Sequence, residues 1–180
     1  MRRKNTTSLT MKRYISEALV ILMKNNKYNE ITIQNITTKA GVNRSTYYRH
    51  FDSKDEIIKF YYLQIIDEHI KIIPSKDISF SDYLIQMFTH YYTYKEELLT
   101  LHQAGKSYFI LDIFNSIFVQ KYNTNNVKDV FYVYYHTGGI YNHFVLWFSN
   151  KMKFTPKQMT DYALRILPTD FTPVLIKNSQ

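Results

Sequence analysis

An all-α fold of about nine helices is predicted: an N-terminal three-helix head with a helix-turn-helix, followed by a helical C-terminal domain. Three observations predict the helical class. The 180 residues include only 4 Gly and 4 Pro, too few for the tight turns of an all-β chain. Apolar residues recur at three- and four-residue steps through most of the chain, and no segment alternates with a period of two. Helix start signals stand before the apolar runs: Thr32, Asn43, Ser53 with Glu56, and Thr155 with Pro156 and Gln158.

Residues 1–7 (Met-Arg-Arg-Lys-Asn-Thr-Thr) lack an apolar stripe and read as a mobile basic arm. The first helix is expected from Ser8 or Thr10 to Asn25, with Met11, Tyr14, Ile15, Ala18, Leu19, Leu22 and Met23 inward and Lys12, Arg13, Ser16 and Glu17 outward. The second starts at Thr32 and stops at Gly41, where a C-terminal glycine supplies positive φ. The third is the short run Arg44 to His50, capped by Asn43 and anchored by Val42 and Phe51. A fourth runs from the Ser53–Glu56 capping box to about Ile72, closed by Pro74. Further helices are expected over Phe80–Tyr94, Glu96–Gln103, Ser107–Tyr122, Val127–Asn150 and Thr155–Leu167. Asn123 to Asn126 is a break, and 169–180 a loosely held tail. Gly138-Gly139 lies inside a long helix at about 1 kcal/mol per glycine relative to alanine, so a close helix–helix approach there is expected to compensate. The domain boundary is placed at 52/53, with 1–52 the DNA-binding head and 53–180 the C-terminal domain.

The net charge is +8, unevenly distributed. Residues 1–60 carry 12 Lys/Arg against 5 Asp/Glu, and the remaining 120 residues are nearly balanced, so a polyanionic partner is expected at the head. With no cysteine there is no disulfide framework or thiolate metal site. The first ten residues are polar and basic rather than a secretory signal, and no apolar run reaches the ~20 residues of a membrane span. A cytoplasmic protein without membrane contact is expected.

The run Asn35 to Lys54 carries the chemistry. Two short helices flank a turn at Ala40-Gly41-Val42, and the second displays a polar, basic and aromatic surface that suits a DNA groove better than a core. Arg44 is placed to meet a phosphate or a guanine edge, and Ser45 and Tyr47, taken to lie on the outward arc, to meet base edges. Thr32 can hold a phosphate through its hydroxyl and the amides of the helix it starts.

The same stretch resembles the tetracycline-repressor (TetR) family of bacterial transcription regulators. The family pattern A-G-V-(S/N)-(K/R)-x-T-x-Y-x-(H/Y)-F-x-(S/N)-K-(D/E)-E-L runs here from Ala40 to Ile57, with Ile57 in place of the commoner leucine, and Lys27-Tyr28 stands where many members have Gly-Tyr. The resemblance implies that Thr46, Tyr48 and Lys54 hold phosphates. It further implies a homodimer on double-stranded operator DNA, joined as a four-helix bundle through the last two long helices.

Of the 30 aromatic residues, 24 lie in 61–180. They are either core and dimer interface or, as the resemblance implies, the lining of an effector pocket drawn from Tyr83, Phe88, Tyr91, Tyr108, Phe109, Phe114, Tyr134 and Tyr141, suited to a small lipophilic or cationic compound. His136 and His143 share a helix face, but no His-x3-His pair accompanies them, so no metal or cofactor is expected. No Gly-rich phosphate loop, nucleophile elbow or zinc signature is present, and no enzyme is expected. The function expected is a transcriptional repressor released from a palindromic operator by a small molecule; the alternative is a DNA-binding regulator answering to a protein partner.

Overall fold

The computed structural model describes residues 2–72, 78–122 and 127–166. Among them every regular element is helical: α1 (Arg2–Met23), a 3-10 turn (Tyr28–Glu30), α2 (Ile33–Ala40), α3 (Arg44–His50), α4 (Lys54–Ile72), α5 (Phe80–Thr93), α6 (Lys95–Gln103), α7 (Tyr108–Tyr122), α8 (Val127–Ser149) and α9 (Pro156–Ile166). The expected closure at Pro74, the break at Asn123–Asn126 and the tail at 169–180 lie outside the described residues.

The caps act largely as expected. Thr32 and Asn35 form a reciprocal capping box, the Asn35 amide donating to Thr32 Oγ1 at 3.1 Å and the Thr32 amide to Asn35 Oδ1 at 2.9 Å. Thr155 and Gln158 do the same for α9. At α4 the Glu56 amide donates to Ser53 Oγ, while the Glu56 carboxylate accepts from Asp52 N rather than from Ser53. Gly41 takes φ 65°, ψ 33°, which lets the chain reverse between α2 and α3. Asn43 is at the N-cap of α3, but its side chain makes no capping hydrogen bond.

Three expectations about α1 and α8 are corrected. Helix α1 begins at Arg2, so the basic arm is part of a helix; its first residues contain no Gly or Pro to stop the helix growing back from Leu9. Ser16 is fully buried, not outward, because α2 and α4 cover α1 from two sides; its hydroxyl is 2.9 Å from Gln64 Oε1 on α4. Among the described residues nothing comes close to Gly138 or Gly139: a Cβ at either would meet no atom within 4 Å.

Helix α1 packs on α2, α3, α4 and α6, and α4 continues from the head to α5 and α7. Helix α7 lies against α8, and α5 against α9. One continuous apolar core results. Ile15, Leu19, Ile36, Ile57 and Ile58 fill its head end, and Phe88, Phe144, Trp147 and Phe148 its far end. The indole Nε1 of Trp147 donates to Phe154 O at 2.9 Å, tying α8 to the turn before α9. The α9 stripe divides: Met159 and Ala163 are buried, whereas Tyr162 and Ile166 are exposed.

Candidate nucleic-acid interface

Helix α3 is seven residues long and has one inner face. Tyr47 and Phe51 are four residues apart, hence on the same side, and are 1% and 4% exposed. The outward arc is Arg44, Ser45, Tyr48 and Arg49, all exposed, with Thr46 and His50 half-buried at its edges. The expectation that Tyr47 faces base edges is therefore corrected: at ~100° per residue it points almost opposite to Ser45 and Arg49. Its ring packs edge-on against Tyr48 at 5.1 Å and beside Phe51 at 6.5 Å, and burial pushes its hydroxyl pKa up. Tyr48, 55% exposed, is the aromatic that can reach a ligand; Arg44 Nη2 donates to its hydroxyl at 3.5 Å, so the two polar heads lie together. Behind the arc, the Lys12 ammonium stands 5.6 Å from the ring centres of Phe51 and Phe60. His50 is held below its ordinary pKa by burial and then by Lys12 and Arg49, so it adds no charge near neutrality.

Thr32 is exposed at the start of α2, although in the free chain its hydroxyl, like its amide, bonds Asn35. Lys54 turns two of its three ammonium hydrogens inward. Its ammonium donates to the carbonyls of Tyr28 and Ile31, both at 2.8 Å, and lies 4.5 Å over the Tyr28 ring. The lysine clamps the turn before α2 onto the start of α4, and burial lowers its pKa although Asp55 opposes the shift.

That clamp belongs to a larger seam between the head and the corner joining α6 to α7. Asp55 Oδ1 accepts from the Tyr28 hydroxyl at 2.5 Å and from Lys106 Nζ at 2.8 Å. Lys106 also lies 4.2 Å over the Tyr28 ring, and Lys59 5.0 Å over Phe109. Burial pushes the Asp55 carboxyl up, but the hydrogen bonds from Lys106 and Tyr28 outweigh it and hold the pKa below its ordinary value. None of these contacts follows any local pattern; Tyr28 and Lys106 are 78 positions apart. A polar cleft of about 650 Å³ opens beside the seam, lined by Lys24, Lys27 and Lys106 among amides and hydroxyls. Each lysine already faces a carboxylate (Glu97, Glu30 and Asp55), so the cleft has little net pull on an anion.

The eight expected pocket residues differ in burial and position. Phe88 and Tyr134 line a cleft of about 530 Å³ between α5, α8 and α9. Tyr83, Tyr91, Phe109 and Phe114 are buried core, Tyr141 is half-buried, and Tyr108 is 45% exposed. Beyond Tyr134, the outer face of α8 carries Phe131 and Tyr135, 73% and 79% exposed, and Leu146. Among the described residues no group of three or more His, Asp or Glu is arranged to hold a metal, and no helix is long and apolar enough to cross a membrane.

Sequence reasoning passed over three polar groups inside the body. His69 is 4% exposed with neither ring nitrogen hydrogen-bonded, and the Asn115 Oδ1 atom is buried and equally unpaired. The Tyr62 hydroxyl lies beside that of Ser107, which itself bonds His102 Nδ1 at 2.9 Å, and makes no hydrogen bond of good geometry. Such groups cost about 1–3 kcal/mol each.

A helix-turn-helix with a cationic outer arc, carried on a helical body, defines a DNA-binding regulator. Residues 15–59 match the family of bacterial regulatory proteins, tetR family, so the head is similar to the DNA-binding domain of those regulators. In fold it is similar to the dihydroxyacetone kinase operon activator DhaS, with a TM-score of 0.60 over 87% of this chain and 93% of that one at 16% identity. Comparison with curated protein sequences gives no match.

Proposed function

We propose that the chain is a homodimeric repressor which binds a palindromic operator and releases it when a small molecule enters the C-terminal domain. The observation that carries DNA recognition is the exposed arc Arg44, Ser45, Tyr48 and Arg49 beside the N-terminus of α2. Arg44 and Ser45 read base edges, while Thr46, Tyr48 and the start of α2 at Thr32 hold phosphates. Two such arcs one DNA turn apart, about 34–36 Å, span an operator. Residues 1–52 act as the reading head, and α4 joins it to the effector domain over 53–180.

A second copy is supported by the bare aromatic face of α8 and by Gly138-Gly139, whose backbone none of the described residues approaches. Glycines inside a helix are costly unless another backbone comes close. The last two helices thus pair across a two-fold axis in the cytoplasm, where the operator is found. The C-terminal aromatic core supports a lipophilic effector; the exposed Phe131 and Tyr135 favour the alternative of a protein partner only if they stay bare in the dimer.

The test is a mobility-shift titration with footprinting on the DNA flanking the gene, followed by transcription in vitro. A protected palindrome and reduced transcription are expected. The absence of any protected site would refute DNA recognition. Increased transcription from a protected site would instead make the regulator an activator, the role named for DhaS.

A further inference from the structure

His69 sits on α4 in a ring of aromatic side chains from α5, with Tyr83, His90 and Tyr91 centred 5.7, 5.5 and 5.8 Å away. His90 Nε2 donates to Ile65 O at 2.8 Å, so the neighbouring histidine is already held by α4 and does not serve His69. A neutral imidazole has one donor and one acceptor, and both are idle here. Native cores pair nearly all such groups, and exceptions call for a missing partner.

Space adjoins the cluster. Met87 is four residues from both Tyr83 and Tyr91, hence on the face of α5 that meets His69, and it also lines the 530 Å³ cleft. On the far wall of that cleft, Phe144 touches Tyr91 at a ring separation of 4.8 Å. A flexible thioether is a side chain that a ligand can displace at modest cost.

We propose that His69 is the polar recognition group of a small-molecule site between α4, α5 and α8, and that it takes an uncharged ligand bearing a hydroxyl on an apolar ring. The groups present decide the class. His69 can exchange hydrogen bonds with a hydroxyl, while the rings around it are aromatic and, among the described residues, no ion pair brings a carboxylate to the imidazole. Burial depresses the basicity of His69, so it offers a neutral ring rather than a counter-ion for an acid. This inference rests on the reading that the C-terminal domain receives a small effector, and it narrows the lipophilic-or-cationic class to the neutral one.

The experiment uses the full-length protein labelled with ¹⁵N-histidine and three probes of similar size: phenol, toluene and benzylammonium. Phenol is expected to shift a His69 ring-nitrogen resonance and to raise the thermal midpoint by several degrees, with toluene and benzylammonium much weaker. In His69→Phe the midpoint without ligand should equal or exceed that of the wild type, because two idle nitrogens are gone, and the phenol effect should vanish. The wild-type resonance shift is read without any variant. An unmoved His69 resonance, an equal response in His69→Phe, or a bound water already bridging the imidazole in the free protein would each overturn the proposal. Mobility shifts on the same His69→Phe sample separate the two readings: intact operator binding with a lost phenol response supports the site, whereas phenol-insensitive wild type with intact binding refutes the site and leaves the regulator standing.

Discussion

Replacing Lys106 by Met tests whether the head is held to the body by the Asp55–Lys106 contact. The substitution keeps most of the aliphatic stem and removes the ammonium. What is lost is one charge-assisted hydrogen bond, 2.8 Å long, and a cation–π contact to Tyr28 at 4.2 Å. Hydrogen bonds to charged groups contribute about 1.5–3 kcal/mol. The Lys106 side chain is 15% exposed but that of Asp55 is 42% exposed, so solvent screening places this pair at the lower end, about 1–2 kcal/mol. The ring contact adds about 0.5–1 kcal/mol. Urea unfolding followed by circular dichroism should therefore show Lys106→Met less stable by about 2 kcal/mol. A double-mutant cycle with Asp55→Asn isolates the pair and should give a coupling of about 1–2 kcal/mol. If the seam also sets how the head is presented, operator affinity falls by roughly three- to tenfold, since 1.4 kcal/mol is tenfold. A coupling below about 0.5 kcal/mol would refute the seam as an energetic link, and unchanged operator affinity would refute its role in orienting the head.

Other consequences follow from burial and position. Tyr47→Ala should unfold the head, costing about 3–5 kcal/mol as a buried aromatic truncation, whereas Tyr48→Ala should leave the melting temperature nearly unchanged and weaken operator binding; equal effects of the two in melting and mobility-shift assays would contradict the orientation of α3. Lys54→Met should lower stability with no change in the salt slope of DNA binding, because its amine serves two carbonyls; a slope reduced by about one would return it to the phosphates. Gly138→Leu should shift sedimentation towards monomer if a second copy covers that backbone, and no shift would place the dimer contact elsewhere. His69 has a folded pKa of about 4 against 6.5 when free. The unfolded chain thus takes up a proton between these values that the folded chain refuses, and stability present above pH 6.5 is lost as the pH falls. Wild type should lose about 2 kcal/mol more than His69→Phe between pH 7.5 and 5, measured by urea titration at each pH.

Where neighbours along the chain decide the outcome, the sequence was sufficient. Helix periodicity located the described helices, short-range caps placed the starts of α2, α4 and α9, and Gly41 marked the one turn of the helix-turn-helix that needs positive φ. The same holds for Tyr48 and Arg44, whose exposure follows from the motif. Tyr47 is the exception: its polar neighbours place it on the outward arc, whereas its spacing of four from Phe51 puts it inside, where it is 1% exposed.

Contacts across long separations had no local signature. Lys54 looks like an ordinary polar surface residue until tertiary packing brings Tyr28 O and Ile31 O to its ammonium. Asp55 finds Lys106 only because α7 docks along α4, and Ser16 is buried only because α2 and α4 cover α1 together. His69 has no partner for the same reason: which aromatic rings close around it depends on how α4 meets α5. Local backbone preference and side-chain periodicity act over one or two helical turns, so they specify the elements and the DNA-reading arc. Which polar groups are paired, clamped or left idle is decided by the docking of those elements, and that docking sets the Lys54 ammonium on two carbonyls of the turn before α2.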